Sequence, residues 1–280
     1  MTSRPKVFLL GSGQRANVHA QAQLLRPLIE QHAEVVTEDL EFRQDLSRLE
    51  ADLAIVLGGD GSILRAARQM AERQLPVVGV NLGKLGFLAD LSVDNFSEAL
   101  PRICSGQYRV VEHLMLECRV SRGNKLLHRE LGLNEMAVLA GPPYRVLEFD
   151  LYVDAELATT YSCDGLIIAT PVGSTAHSLS AGGPILRKNL QAFVISPISP
   201  HTLTVRPVVD SADLRYEVVV RMPGEHTSVV VDGRVISRLE AEDRVSVRRA
   251  EPTFKLVEVT GNSYYRTLRE KLGWGGKFQR

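Results

Sequence analysis

The stretch "LAIVLGGDGSILRAARQM", residues 53–70, places an acid inside a glycine turn: Gly58, Gly59 and Gly61 surround Asp60, and Ser62 follows. Glycines this dense free the backbone for close approach of a ligand, and a turn leading from a strand into a helix offers bare N–H groups to phosphate. A carboxylate repels such a ligand, and the lysine of an ordinary phosphate loop is missing. Two partners would reward the charge. One is a divalent cation bridging it to nucleotide phosphates; the other is a substrate hydroxyl whose proton it accepts as phosphorus is attacked. Both point to phosphoryl transfer. The simpler reading, a cap on the helix that begins near Ser62, needs fewer glycines than are present. Arg65, one turn into that helix, is within reach of a phosphate or of solvent.

The elements around this turn alternate. Residues 6–10 read as a strand, 17–31 as an amphipathic helix, 53–57 as a buried strand, 62–74 as a helix, and "LPVVGVNLG" as a third strand. Strands alternating with helices imply a parallel, Rossmann-like sheet whose ligands gather at the carboxyl ends of its strands. Beyond about residue 105 the pattern turns to strands: "YRVVEHLMLECRV", "RVLEFDLYVD", "YEVVVRM" and "SVVVDGRVIS", with "SRGN" and "VDGR" as hairpin turns. A proline-rich passage covers 195–210, and the tail "SYYRTLREKLGWGGK" is helical again. We therefore expect an α/β domain over 1–105, with 260–280 packing back on it, and a β-rich domain over 106–259.

The 280 residues suit two domains with ample core. Equal numbers of basic and acidic residues, 33 each, argue against a nucleic acid polymer as partner. No run approaches ~20 apolar residues, so a cytoplasmic chain without a membrane anchor is expected. Cys104, Cys118 and Cys163 lack disulfide or zinc spacing and read as free structural thiols.

Three further motifs carry a resemblance: "NLGKLGFLAD" at 81–90, "GLNEMAVL" at 132–139 and "DGLIIATPVGSTAHSLSAGGPIL" at 164–186. With GGDGS before them, and "PHTLTVRP" and "TLREKLGW" after, their order and spacing resemble the NAD kinase family from about residue 51 to the end. The resemblance implies phosphorylation of the 2′-hydroxyl of the adenosine ribose of NAD, with ATP or another donor and Mg²⁺ or another divalent metal. It implies Asp60 as general base and Gly61 as a point of close dinucleotide approach. Phe87 in the first of these motifs, Asn134 and Glu135 in the second, and Asp164, Thr175, Ala176, His177 and Ser180 in the third would contact bound nucleotide. A homodimer or homotetramer, with the dinucleotide near a subunit boundary, is implied as well.

The chain departs from the family pattern at three places. His177 stands where tyrosine is usual, keeping a flat ring but adding a titratable group. Ser162 and Leu82 stand where many members carry arginine, and the missing cations would weaken pyrophosphate contacts or shift them to Arg145 or Arg234. Lipid and sugar kinases share the GGDG turn but not the later motifs. A silent dinucleotide-binding regulator would gain nothing from Asp60, since an acid near phosphates is costly to a mere binder.

Overall fold

The structure, a computed structural model, describes residues 4–13, 17–83, 86–89, 91–259 and 264–273. The chain divides into two compact units, residues 1–112 with 254–280, and residues 113–253. These boundaries lie a few residues away from 105/106 and 259/260. Residues 109–113 and 254–258 read as part of a β-rich run, but their backbones extend the first unit's sheet.

In the first unit the chain runs β1 (Lys6–Gly11), α1 (Val18–His32), β2 (Glu34–Asp39), β3 (Leu53–Leu57), α2 (Asp60–Met70), β4 (Pro76–Val80), α3 (Val93–Cys104) and β5 (Arg109–His113). The sheet order is β2-β1-β3-β4, followed by the returning strand Phe254–Glu258 and then β5. The pairs β1–β2, β1–β3 and β3–β4 are parallel. Every residue of β3 is buried, as in a parallel strand covered on both faces. Helix α1 supplies Val18, Ala22, Leu25 and Ile29 at helical spacing, and α3 supplies Phe96, Ala99, Leu100 and Ile103. These side chains close one core with Leu9, Ile55 and Val78. Ser92 caps α3, its Oγ accepting the Asn95 N–H at 3.2 Å.

The strand order reverses direction between β1 and β3, where Gly11 lies opposite Leu57. That is the switch point at which parallel sheets bind ligands, and the GGDGS turn leaves from it. Helix α2 begins two residues before Ser62, with Asp60 itself as its first residue and Gly59 as its cap.

The second unit holds β6 (Leu116–Arg122), β7 (Lys125–Gly132), β8 (Glu135–Leu139), β9 (Leu147–Val153), β10 (Glu156–Cys163), β11 (Gly165–Ala169), the short helix α4 (His177–Ser180), β12 (Ala192–Ile198), β13 (Val208–Ser211), β14 (Tyr216–Val220), β15 (Ser228–Val231), β16 (Arg234–Arg238) and β17 (Asp243–Arg249). They form two antiparallel sheets, β10-β9-β14-β17-β6-β7 and β13-β12-β11-β8-β15-β16. Alternate residues of both, among them Val120, Val138, Phe149, Ile168, Tyr216 and Val247, meet in one apolar cluster. The far side of the second sheet is covered too: Ala137, Ile167, Ala169 and Val194 pack with Leu186. Burial on both faces is why β11 is apolar throughout rather than alternating.

The "VDGR" turn joins β15 to β16 with Asp232 at φ 47° and Gly233 at φ 76°, the pair of left-handed residues that a two-residue hairpin demands. The returning strand Phe254–Glu258 (β18) and α5 (Tyr264–Leu272) belong to the first unit.

Candidate active site

In the first unit the charge on Asp60 has a partner the sequence did not reveal. Its Oδ2 accepts the backbone N–H of Phe87 at 2.8 Å, and its Oδ1 accepts those of Leu88 and Ala89 at 2.9 and 3.1 Å. Three consecutive amides thus turn toward one carboxylate, and the acid fastens the "GFLA" part of the 81–90 motif to the glycine turn. Neither the cation nor the hydroxyl weighed from the sequence is needed to account for the charge. Gly86 is required by this arrangement, because a Cβ there would strike the Asp60 carboxylate. Asn81 braces the same loop, accepting the Gly83 N–H at 2.8 Å and donating to the Ala89 carbonyl at 3.3 Å.

Gly58 adopts φ 135°, and its N–H donates to the Val80 carbonyl at 2.9 Å, which ties the turn to the end of β4. A side chain at Gly58 would also strike the Ser62 Oγ. Ser62 is buried, and its hydroxyl finds no partner among the described residues. A buried donor at a helix N-terminus, beside exposed Gly61, is suited to an anion's oxygen. Arg65 is exposed, lies 5.8 Å from the centre of the Phe42 ring, and reaches the Ser12 Oγ at 3.4 Å. Ser12 and Phe42 lie before residue 51, where the resemblance begins; the "GSG" at the end of β1 is the signal in the sequence that points to them. The Phe87 ring lies 5.3 Å beneath the Lys271 ammonium of α5. Lys84, Leu85 and Asp90 of the 81–90 motif lie outside the described residues.

In the second unit the Asn-Glu motif is held by an acid distant in sequence. Asp232 Oδ2 accepts the Leu133 N–H at 2.8 Å, and its Oδ1 accepts those of Asn134 and Glu135 at 2.8 and 3.1 Å. The Asp232 N–H returns to the Glu135 carbonyl at 3.0 Å. The third motif packs on the same turn. Thr170 donates its N–H to the Asn134 carbonyl at 2.8 Å and its hydroxyl to the Leu133 carbonyl at 2.6 Å. Gly173 lies so close to Asn134 that a side chain there would overlap the Asn134 backbone.

Glu135 is 7% exposed, and the His177 backbone N–H bonds to its carboxyl. Its Oε2 has no partner among the described residues. Burial first, and the charge of Asp232 second, push its pKa up to about 8. Burial also pushes Asp232 up, to about 6, against the pull of its three amides. His177 and Ser180 are exposed, Thr175 and Ala176 half-buried. Ser174 and Ser178 are engaged in the interior: Ser174 Oγ donates to the Pro171 carbonyl at 2.6 Å, and Ser178 Oγ pairs with Ser196 Oγ at 2.9 Å.

Asp164 does not join this group. It precedes β11, whereas Thr170 and the loop after it follow β11, so a strand of five residues, about 17 Å, separates them. The His201 Nε2 lies 3.9 Å from the Asp164 Oδ1. Arg234 is bound to Glu130 at 2.7 Å, so its charge already has a carboxylate. Arg145 is exposed beside a cavity of about 150 Å³ that Gly141, Leu147 and Thr227 also line. A wider cavity of about 890 Å³ in the first unit is lined by Arg4, Lys6, Glu30, Glu34, Glu50 and Asp52. It lies at the amino ends of β1–β3 and holds no motif residue; the carboxyl ends of the strands carry the chemistry.

Comparison with known proteins agrees with this arrangement. The ATP-NAD kinase N-terminal domain family matches residues 8–108, and the ATP-NAD kinase C-terminal domain family matches 133–259. An NAD kinase of Rhodopirellula baltica is 56% identical over 273 residues, which span 98% of this chain and 88% of that protein. One of Geotalea daltonii is 39% identical over 255 residues, 91% of this chain and 90% of that protein. Among solved structures, an NAD kinase from Archaeoglobus fulgidus in complex with ATP is 28% identical with a TM-score of 0.72, covering 95% of this chain and 99% of that one. Yeast NADH kinase complexed with NADH shares the fold at a TM-score of 0.87 and 22% identity, over 99% of this chain and 90% of that one. With matches to both domain families and such identity over nearly its whole length, the chain belongs to the NAD kinase family.

Proposed function

We propose that this NAD kinase uses Asp60 as the base for transfer of a phosphoryl group from ATP to the 2′-hydroxyl of the adenosine ribose of NAD. The observation that carries the reading is the Asp60 carboxylate, held in place by three amides. A carboxylate has about four lone-pair positions, so about one remains to accept from an alcohol. In the transfer the ribose oxygen bonds to the γ-phosphorus, the bond from that phosphorus to the ADP oxygen breaks, and the hydroxyl proton passes to Asp60. NADP and ADP result.

The first unit also supplies the Ser62 hydroxyl and the α2 N-terminus for phosphate oxygens. Within the second unit, Asn134, Glu135 and the loop through Thr175, Ala176 and His177 are the dinucleotide contacts of this reading. Phe87, Ser180, Arg65 and Arg145 are further contacts in this reading, and the pairing of Arg234 with Glu130 weighs against Arg234 as a pyrophosphate ligand. Among the described residues no three His, Cys, Asp or Glu side chains gather as a cation cage. Mg²⁺ needs no such cage, since it binds largely through substrate phosphates and water with one or two carboxylates. When bound, the metal neutralises the charge of the transferring phosphoryl group.

The chain acts as a homodimer or homotetramer in this reading. The separation of Asp164 from the 170–177 loop supports an Asp164 that serves the dinucleotide held by a second copy. The three free cysteines, Cys104, Cys118 and Cys163, fit a reducing cytoplasm.

The test offers ATP and Mg²⁺ with NAD, NADH, diacylglycerol or fructose 6-phosphate separately. We expect phosphorylated dinucleotide from NAD. Phosphorylation of the lipid or the sugar without NAD would overturn the reading.

A further inference from the structure

The two acids Glu135 and Asp232 are neighbours whose surroundings are unequal. Asp232 receives three backbone N–H groups, and Glu135 receives one, from His177, with its Oε2 unpartnered among the described residues. Both are held rigidly. Strand β15 pairs with β8, Val231 opposite Met136, so the hairpin tip carrying Asp232 is locked beside the strand that begins with Glu135. Asp232 occupies a left-handed position that aspartate tolerates and most residues do not. Among the described residues, Glu130 on β7 also acts on Asp232 and is itself bound to Arg234 on β16, while His177 on α4 contributes its backbone N–H to Glu135.

Two carboxyls that repel each other in a largely desolvated turn do not both ionise readily, and the one with more hydrogen-bond donors takes the charge. We propose that Asp232 is the positioning residue of the Asn134–Glu135 turn and the charged member of the pair, and that Glu135 enters the site as a neutral acid whose O–H donates to an oxygen of the dinucleotide. The inference rests on the functional reading above. A neutral Glu135 adds no repulsion toward the dinucleotide's pyrophosphate, and its lone oxygen acquires a partner only when ligand arrives. The raised values of both groups agree with the charge on Asp232 and the proton on Glu135.

The test is direct binding of NAD to the full chain across pH, without a phosphoryl donor, so that turnover plays no part. The unaltered protein is expected to hold NAD at pH 7 and to lose affinity above about pH 8, by roughly tenfold per unit once the Glu135 proton is gone. Glu135→Gln keeps a neutral donor and is expected to bind within about threefold of the unaltered protein at pH 7 and to lose the alkaline fall. The carboxylic C=O band in the infrared spectrum at pH 7 should be present in the unaltered protein and vanish in Glu135→Gln. Asp232→Asn is expected to weaken NAD at least tenfold with unchanged circular dichroism. If it does not fold, the Glu135→Gln profile and the infrared band decide alone. An alkaline fall that persists in Glu135→Gln, or a tenfold loss in Glu135→Gln at pH 7, would overturn the inference. No NAD binding by the unaltered protein at any pH would instead overturn the functional reading beneath it.

Discussion

At the scale of single residues, two aspartates do the same mechanical work. Asp60 gathers the amides of 87–89 and Asp232 those of 133–135, so each nucleotide motif is shaped by an acid that is not its sequence neighbour. Charge-assisted bonds of this kind are about twice as strong as neutral ones. Glu135 adds a pH dependence of known sign. Its folded-state pKa, about 8, is above its ordinary 4.5, so the native state binds the proton more tightly than the unfolded chain. Its contribution is therefore fully present below about pH 4.5 and is lost as pH rises through about 8, by at most about 1.4 kcal/mol per unit. Subtracting the urea-unfolding stability of Glu135→Gln from that of the unaltered protein at pH 5, 7 and 9 should give a difference that shrinks toward alkaline pH. A difference that stays level or grows would contradict it. The GGDG turn and the Asn-Glu pair were legible because their residue types are local. Asp232 was not, because its partners lie up to 99 positions away and meet it only through the β8–β15 pairing.

At the scale of elements, legibility followed burial. The run "LAIVL" announced β3 because both faces of that strand are covered. Strand β2, "EVVTED", sits at the sheet edge half-exposed and mixes polar with apolar residues, so no period marked it. Helix α3 carries its own signals, Ser92 as cap and apolar residues at 96, 99, 100 and 103. Loop 86–89 is the element on which Asp60 acts, and Gly86 is its tightest point. Gly86→Ala should force the loop from the carboxylate, lower kcat about tenfold or more, and reduce Tm by a few degrees. Steady-state kinetics with a thermal melt would check this; unchanged kcat would mean that the loop's seat on Asp60 does not matter to transfer. Gly83, in the same motif, meets nothing within 4 Å of an added Cβ and is the control.

At the scale of the whole molecule, the division into units was partly visible as a change from alternating helices and strands to strands alone. The returning strand β18 was not, since "FKLVE" looks like any other strand of the β-rich half, and only its parallel pairing with β4 assigns it to the first unit. Asp164 extends the question to assembly. If it serves a dinucleotide on a second copy, Asp60→Asn and Asp164→Ala chains, each nearly inactive alone, should regain measurable turnover when co-expressed and co-purified as a mixed oligomer. Failure of the verified mixed oligomer to regain activity, or full activity in a monomer seen by sedimentation, would remove the shared site. Transfer itself depends on the Asp60 carboxylate beside the ribose alcohol, and single-turnover formation of NADP by Asp60→Asn measures that most directly. With NAD binding measured separately and retained within about tenfold, NADP formation should slow by roughly 10²-fold or more; formation at the unaltered rate would show that Asp60 only holds the loop and takes no proton.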